Sequence, residues 1–370
     1  MRWIAFITAV LICPAAVAAD GPAALPEATR LVAALELREG SMAVREDPRW
    51  RRPRIIVVRS DYPGMVPALQ AMAPGVRLLW AKSDAEAVAA AADADAIMGL
   101  CSPELVAAAR QALWIQLFSA GSERCVAIPE LRERQLLLTN MQRISGPEIA
   151  EHAIGLLLAF TRGLNVYLPD QKSGRWRPDL VPRSQTWELE GRTLLVAGLG
   201  GIGSQVAKRA HALGMRVVAT RASGQQRPDY VDEVGDPEAL LRLAATADVV
   251  VNALPLTPAT TGLFDARFFA AMKPGAYFIN VGRGRSVVTA DLVAALQERR
   301  LAGAGLDVTE PEPLPADHPL WQLPNVIITP HVAASSDKVS GRLLTVAQEN
   351  LRRYVAGERL LSVVDAGRGY

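Results

Sequence analysis

Apolar residues in this chain follow two rhythms. Short apolar runs bounded by charged or turn-forming residues alternate with stretches whose apolar positions recur at helical spacing. The first run, Ile55–Arg59, suits a buried strand. Arg77–Ala81 and residues 96–100, 113–118 and 136–140 follow as four more strands. Helices are predicted over 84–92 and over 103–111, the latter with Ser102 in capping position. Strands alternating with helices imply a parallel sheet covered on both faces. A longer helix begins near Pro147 and runs past Glu151 and His152, and residues 171–190, broken by Pro and Gly, read as a loop. A second α/β unit opens at Thr193–Ala197 and continues to about Pro330. The last helix, over 340–354, is amphipathic and is expected to pack back on the first unit.

With 370 residues the chain is long enough for two domains, each with its own core. Half the residues are hydrophobic and the net charge is +2, so no basic excess points to nucleic acid or a membrane surface. The start resembles a secretory signal: Arg2, an apolar run from Trp3 to Ile12, then Ala16-Val17-Ala18-Ala19 for cleavage, giving residues 1–19 as a signal peptide. The run is too short to anchor the chain in a bilayer. The alternatives are a true start at Met42 in a cytoplasmic protein, or a lipid-bearing Cys13. Three cysteines are too few for a disulfide framework, and none has metal-ligand spacing, so no metal is expected. Residues 20–53 read as an extension or linker, with a short helix around 25–37 and a solvated run Arg49-Trp50-Arg51-Arg52.

Gly198-Leu199-Gly200-Gly201-Ile202-Gly203 is a G-x-G-x-x-G between a strand and a helix read over 205–213, with a further strand over 215–220. Alone the pattern is weak; in this βαβ frame it is a dinucleotide fingerprint. Its glycines permit a tight turn and close approach to a pyrophosphate, whose charge the helix N-terminus favours. An acid closing the next strand would bind the ribose hydroxyls of NAD. Here Arg221 stands there, with Arg227 nearby, and a guanidinium can grip a 2′-phosphate, so NADP is favoured over NAD.

Three further strands end in polar residues: 276–281 before Gly282-Arg283-Gly284, 304–308 before Thr309-Glu310-Pro311-Glu312, and 326–329 before Pro330-His331. Ligands of open parallel sheets bind beyond the carboxyl ends of the strands, so all three should face one crevice. Arg283 can grip a carboxylate and polarise its carbonyl, His331 can exchange a proton with the carbonyl oxygen, and Glu312 can fix the imidazole tautomer. This is a set for moving hydride to or from the 2-position of a small 2-oxo/2-hydroxy acid.

Residues 54–367 resemble the D-isomer-specific 2-hydroxyacid dehydrogenase family. The resemblance rests on Leu189-Glu190-Gly191-Arg192-Thr193, the glycine motif, Pro255-Leu256-Thr257, Asn280-Val281-Gly282-Arg283-Gly284, Leu306-Asp307-Val308, Glu312-Pro313 and Thr329-Pro330-His331. It implies an α/β fold of two doubly wound parallel-sheet domains. It further implies a Rossmann cofactor domain (147–332) inserted into a flavodoxin-like substrate domain (54–146 plus 333–367), and a homodimeric assembly. It implies catalytic residues Arg283, Glu312 and His331. Cofactor contacts fall at Gly198, Gly200, Gly201, Ile202, Gly203, Arg221, Leu254, Pro255, Val281, Gly282, Arg283, Asp307, His331 and Ala334. Substrate contacts fall at Leu100, Cys101, Gly121 and Ser122 together with Arg283. Arg221 resembles the glyoxylate/hydroxypyruvate reductase branch, whereas Arg143 stands where a small or apolar residue is expected. A binding protein that senses dinucleotides with little turnover is the rival reading. A formate dehydrogenase is disfavoured, because those enzymes resemble this fold with Gln in place of Glu312.

His152 and His211 are expected to be structural and His318 to cap a turn. Cys101 reads as a small buried filler and Cys125 as buried and inert. Trp176 reads as a cover for the site or a packing anchor for its loop.

Overall fold

The structure is a computed structural model describing residues 23–224, 226–367 and 369; the signal-like segment and Cys13 lie outside these residues. Two parallel sheets organise the chain. The first contains β1 (Ile55–Arg59), β2 (Arg77–Ala81), β3 (Ala96–Met98), β4 (Trp114–Gln116) and β5 (Leu137–Thr139), in the order β2-β1-β3-β4-β5. The second contains β6 (Thr193–Ala197), β7 (Arg216–Thr220), β8 (Glu233–Gly235), β9 (Val249–Asn252), β10 (Ala276–Asn280), β11 (Leu301–Leu306) and β12 (Val326–Ile328), in the order β12-β11-β10-β9-β6-β7-β8. The central strands are buried on both faces, which explains their unbroken apolar runs. In register, Leu195 lies opposite Val218 and Val250, and Ile56 opposite Leu78 and Ala96.

Helix Gly146–Thr161 leads from the first sheet to the second and packs Leu156, Leu157 and Phe160 into the second core. Helix Val339–Ala356 returns as expected: its Val346, Leu351, Tyr354 and Val355 join Ile56, Val58 and Trp114 in the first core. Arg342 of this helix donates to Glu148 at 2.7 Å, tying the two connecting helices together. None of the described helices is long and apolar enough to cross a membrane.

The segment from residue 23 to 53 is mostly exposed but packs at several points on the first core. Leu35, Leu37 and Val44 are buried in the first core, and Trp50 donates its indole N–H to the carbonyl of Tyr354 at 3.2 Å. Arg49 pairs with Asp47 and Arg51 with Asp95, so the basic run has local partners. Glu36 reaches Lys208 at 3.0 Å and Arg143 at 3.5 Å, so the extension touches both halves of the molecule.

Candidate active site

Each sheet reverses its direction of growth once. In the second, β6 is followed outward by β7 and β8, while β9 returns to its other side. The crevice above β6 and β9 is where an open sheet accepts a ligand. A cavity of about 290 Å³ opens there, lined by Gly198, Gly200, Arg221, Leu254 and Pro255 among others. Helix Gly201–Ala212 starts inside the glycine motif, four residues earlier than the helix read from sequence, so its free N–H groups open directly onto the crevice. A methyl on Gly203 would collide with the carbonyl of Gly198, whereas one on Gly200 would meet only open space. Gly203 serves close helix–strand packing and Gly200 leaves a cradle; both fit a dinucleotide phosphate. Arg221 donates Nε to the carbonyl of Leu199 at 3.1 Å and Nη1 to that of Gln226 at 3.1 Å, beside Ala222 and Ser223 at the cavity rim. Ile202 is half-buried against the second core, with its backbone N–H among those free at the helix start, and Val281 is buried just past β10.

Beyond β10, β11 and β12 the polar residues assemble as follows. His331 Nδ1 lies 2.6 Å from Glu312 Oε1, and its Nε2 has no partner among the described residues. His331 itself takes a left-handed backbone, φ 54°. Asp307, only 3% exposed, holds that turn: it accepts from Thr329 Oγ1 (2.7 Å) and from the backbone N–H groups of Val332 (3.0 Å) and Ala333 (3.0 Å). Its backbone carbonyl takes the His331 N–H at 2.9 Å. The Asp307 carboxylate thus holds the backbone turn that presents His331. Ala334 is exposed just past this turn. His152, read as structural, hydrogen-bonds Thr329 Oγ1 at 2.9 Å and belongs to the same support.

Arg283 follows β10 and points at the substrate half. Its Nε donates to Glu123 at 3.0 Å and its Nη1 to the carbonyl of Gly282 at 2.9 Å; no hydrogen bond joins it to His331 or Glu312. The first sheet also switches direction, between β1 and β3, and Leu100 and Cys101 leave β3 there, after Gly99 passes against the carbonyl of Arg59. Gly121 faces Arg283, whereas the buried Ser122 turns its hydroxyl to the carbonyl of Gly369 at 3.1 Å.

Cys125 is buried as expected, but its pairing was not foreseen. Cys101 and Cys125 form a disulfide with Cα atoms 5.6 Å apart, joining the loop after β3 to helix Glu123–Val126. Arg143 does not enter the substrate side either. Its side chain runs against Gly201, with its guanidinium near Glu36. Burial, then the nearby Arg38, holds that guanidinium below the ordinary arginine value. Trp176 is 96% exposed and so packs on nothing among the described residues, while His318 caps the turn at Leu320 as expected.

Residues 154–333 match the model for the NAD-binding domain of D-isomer specific 2-hydroxyacid dehydrogenases. The human glyoxylate reductase/hydroxypyruvate reductase is 35% identical over 254 residues, 67% of this chain and 75% of that one. The glyoxylate reductase of Thermofilum pendens is 32% identical over 284 residues, 75% of this chain and 84% of that one. Among solved structures, the NADPH-dependent glyoxylate/hydroxypyruvate reductase of Sinorhizobium meliloti, in complex with NADP and sulfate, superposes with a TM-score of 0.73. It is 30% identical and covers 86% of this chain and all of that one. The chain belongs to the D-isomer-specific 2-hydroxyacid dehydrogenase family. As such it is an NAD(P)-dependent oxidoreductase of small 2-oxo and 2-hydroxy acids, and the alternative of a binding protein with little turnover is not favoured.

For this dehydrogenase the geometry fits the chemistry. A bound nicotinamide supplies the hydride. A His331 imidazolium would donate from Nδ1 to Glu312 and present its Nε2 proton to a carbonyl oxygen. Two features escaped the sequence reading: Glu123, which meets Arg283, and the disulfide. The first signal was present, an acid two residues after Gly121, but which cation it would meet depends on how the halves dock. The second pairs cysteines 24 apart in sequence, a spacing that says nothing by itself.

Proposed function

We propose that this dehydrogenase reduces a small 2-oxo acid of the glyoxylate or hydroxypyruvate class, with NADPH as the preferred reductant. Arg283, Glu312 and His331 act as its carboxylate clamp, tautomer-setting acid and proton donor. The observation that carries the cofactor preference is Arg221. It replaces the acid that would bind ribose hydroxyls, and two of its nitrogens are held on backbone carbonyls at the rim of the cavity, which orients the guanidinium there. The S. meliloti relative, crystallised with NADP, supports the same preference. The test is a panel of 2-oxo acids assayed with NADH and NADPH, on wild type and on Arg221→Asp. The proposal expects kcat/KM to favour NADPH in wild type and the preference to fall at least tenfold in the variant. An NADH preference in wild type would overturn it.

The same proposal places the enzyme in an oxidising, exported compartment and in a homodimer. A signal-like start and a disulfide on one chain support the first, since reducing cytosol disfavours such bonds. Leu164, Leu168 and Trp176, exposed together on the segment after helix Gly146–Thr161, support the second as a patch for another copy. N-terminal sequencing of native protein and a solution mass measurement check them; an intact Met1 or a monomer would contradict the respective part.

A further inference from the structure

Arg283 is already neutralised in the structure by an acid from the other half of the molecule. Its Nε donates to Glu123 Oε1 at 3.0 Å. A Cβ placed on Gly121 would lie 2.7 Å from Arg283 Nη2 and 2.8 Å from Glu123 Oε2, so one edge of the guanidinium, one carboxylate oxygen and the bare face of Gly121 converge on one point. That edge, Nε with Nη2, is the one that grips a carboxylate in bidentate fashion. Nη1 is spent on the carbonyl of Gly282. The pair is sheltered, with side-chain exposures of 33% and 31%.

We propose that Glu123 is an internal counter-ion that occupies the substrate-carboxylate position in the resting enzyme and must be displaced by an incoming 2-oxo acid. This rests on the reading of Arg283 as the substrate-carboxylate clamp. One guanidinium edge cannot serve two carboxylates at once, so substrate binding includes the cost of expelling Glu123. Once expelled, Glu123 remains beside the pocket as a negative charge that opposes a second carboxylate on the substrate. It acts as a specificity-determining residue for monocarboxylates. Cys125, two residues further along the same short helix and bonded to Cys101, keeps the helix in place, so displacement is a side-chain rotation and not a movement of the backbone.

The test is Glu123→Gln, which keeps size and removes charge, alongside Arg283→Gln. Measurements are kcat and KM for glyoxylate and for the dicarboxylate 2-oxoglutarate, and calorimetric binding of oxalate to the NADP-loaded protein. With Glu123→Gln, KM for glyoxylate should fall by roughly two- to fivefold, the range of a partly exposed ion pair, and the dissociation constant for oxalate, which carries two carboxylates, should fall further. The fall for 2-oxoglutarate should be larger, and the effect should lie mainly in KM. A raised KM would make Glu123 an anchor that orients Arg283, and would overturn the proposal. Unchanged KM and oxalate binding would overturn it too. Severe loss of activity in Arg283→Gln together with either result leaves the clamp standing and removes only the counter-ion. Normal activity in Arg283→Gln removes both.

Discussion

Removing the Cys101–Cys125 bond gives the prediction whose size follows most directly from the structure. The bond closes a loop spanning 24 residues of sequence. In the chain-entropy description, releasing a loop of that length restores disorder to the unfolded state worth about 3.5 kcal/mol at room temperature. With an unfolding entropy scaled to chain size, that lowers Tm by about 5 °C if the whole chain melts together. The fall is roughly 10 °C or more if the substrate half melts separately. The perturbation is Cys125→Ser, and independently wild type treated with a strong reductant. The assay is thermal unfolding followed by intrinsic fluorescence, with alkylation under denaturing conditions and mass spectrometry to count free thiols at 101 and 125. Wild type should show neither residue alkylated until reduced, and both perturbations should lower Tm by the same amount. Full alkylation of both cysteines in untreated protein, or an unchanged Tm after verified reduction, would refute the reasoning. The consequence reaches the site, because the bond ties the loop after β3 to the helix that carries Glu123.

Asp307→Asn retains shape but loses at least one of the charge-assisted bonds to Thr329, Val332 and Ala333. Each such bond is worth about 1.5–3 kcal/mol. A displaced His331 turn should lower kcat by roughly ten- to a hundredfold; wild-type turnover would show that the turn holds itself. At the C-terminal helix, the Arg352 side chain holds the Glu358 carboxyl below its ordinary value of 4.5. A carboxylate depressed in the folded state stabilises fully above that value and stops doing so as pH falls through its folded pKa. The Tm advantage of wild type over Glu358→Gln should therefore be full at neutral pH and shrink as pH falls below 4.5. An equal gap at both pH values would contradict this.

How much of this was legible in the sequence depended on how locally each feature is determined. β1 and β6 follow their apolar runs closely, because their inner positions are buried on both faces, whereas β2 lies at the sheet edge with Arg77 and Trp80 exposed. β3, β4 and β5 are shorter than their runs, since apolar residues such as Leu100 and Phe118 continue into loops that pack on the cores. β8, Glu233–Gly235, carries no apolar run and went unseen at the sheet edge. The glycine motif and the Glu312–His331 pair were readable because strand ends of a parallel sheet share one side. Contacts made by docking were not. Trp50 lies in a basic, proline-flanked run yet meets the last helix, far along the chain. Arg143 takes φ 73°, a left-handed backbone a non-glycine residue adopts at some cost, and turns toward the glycine-motif helix. Asp307 entered the sequence reading only as a cofactor contact implied by the resemblance; its hold on the turn that carries His331 is visible only in the structure.

The central claim is that the imidazole of His331, oriented by Glu312, supplies the proton as hydride arrives. The most direct measurement is single-turnover reduction of glyoxylate by His331→Ala loaded with NADPH, with dinucleotide affinity measured in parallel by fluorescence. The account predicts a rate lower by about 10² or more with affinity close to wild type. A rate within a few-fold of wild type would contradict it.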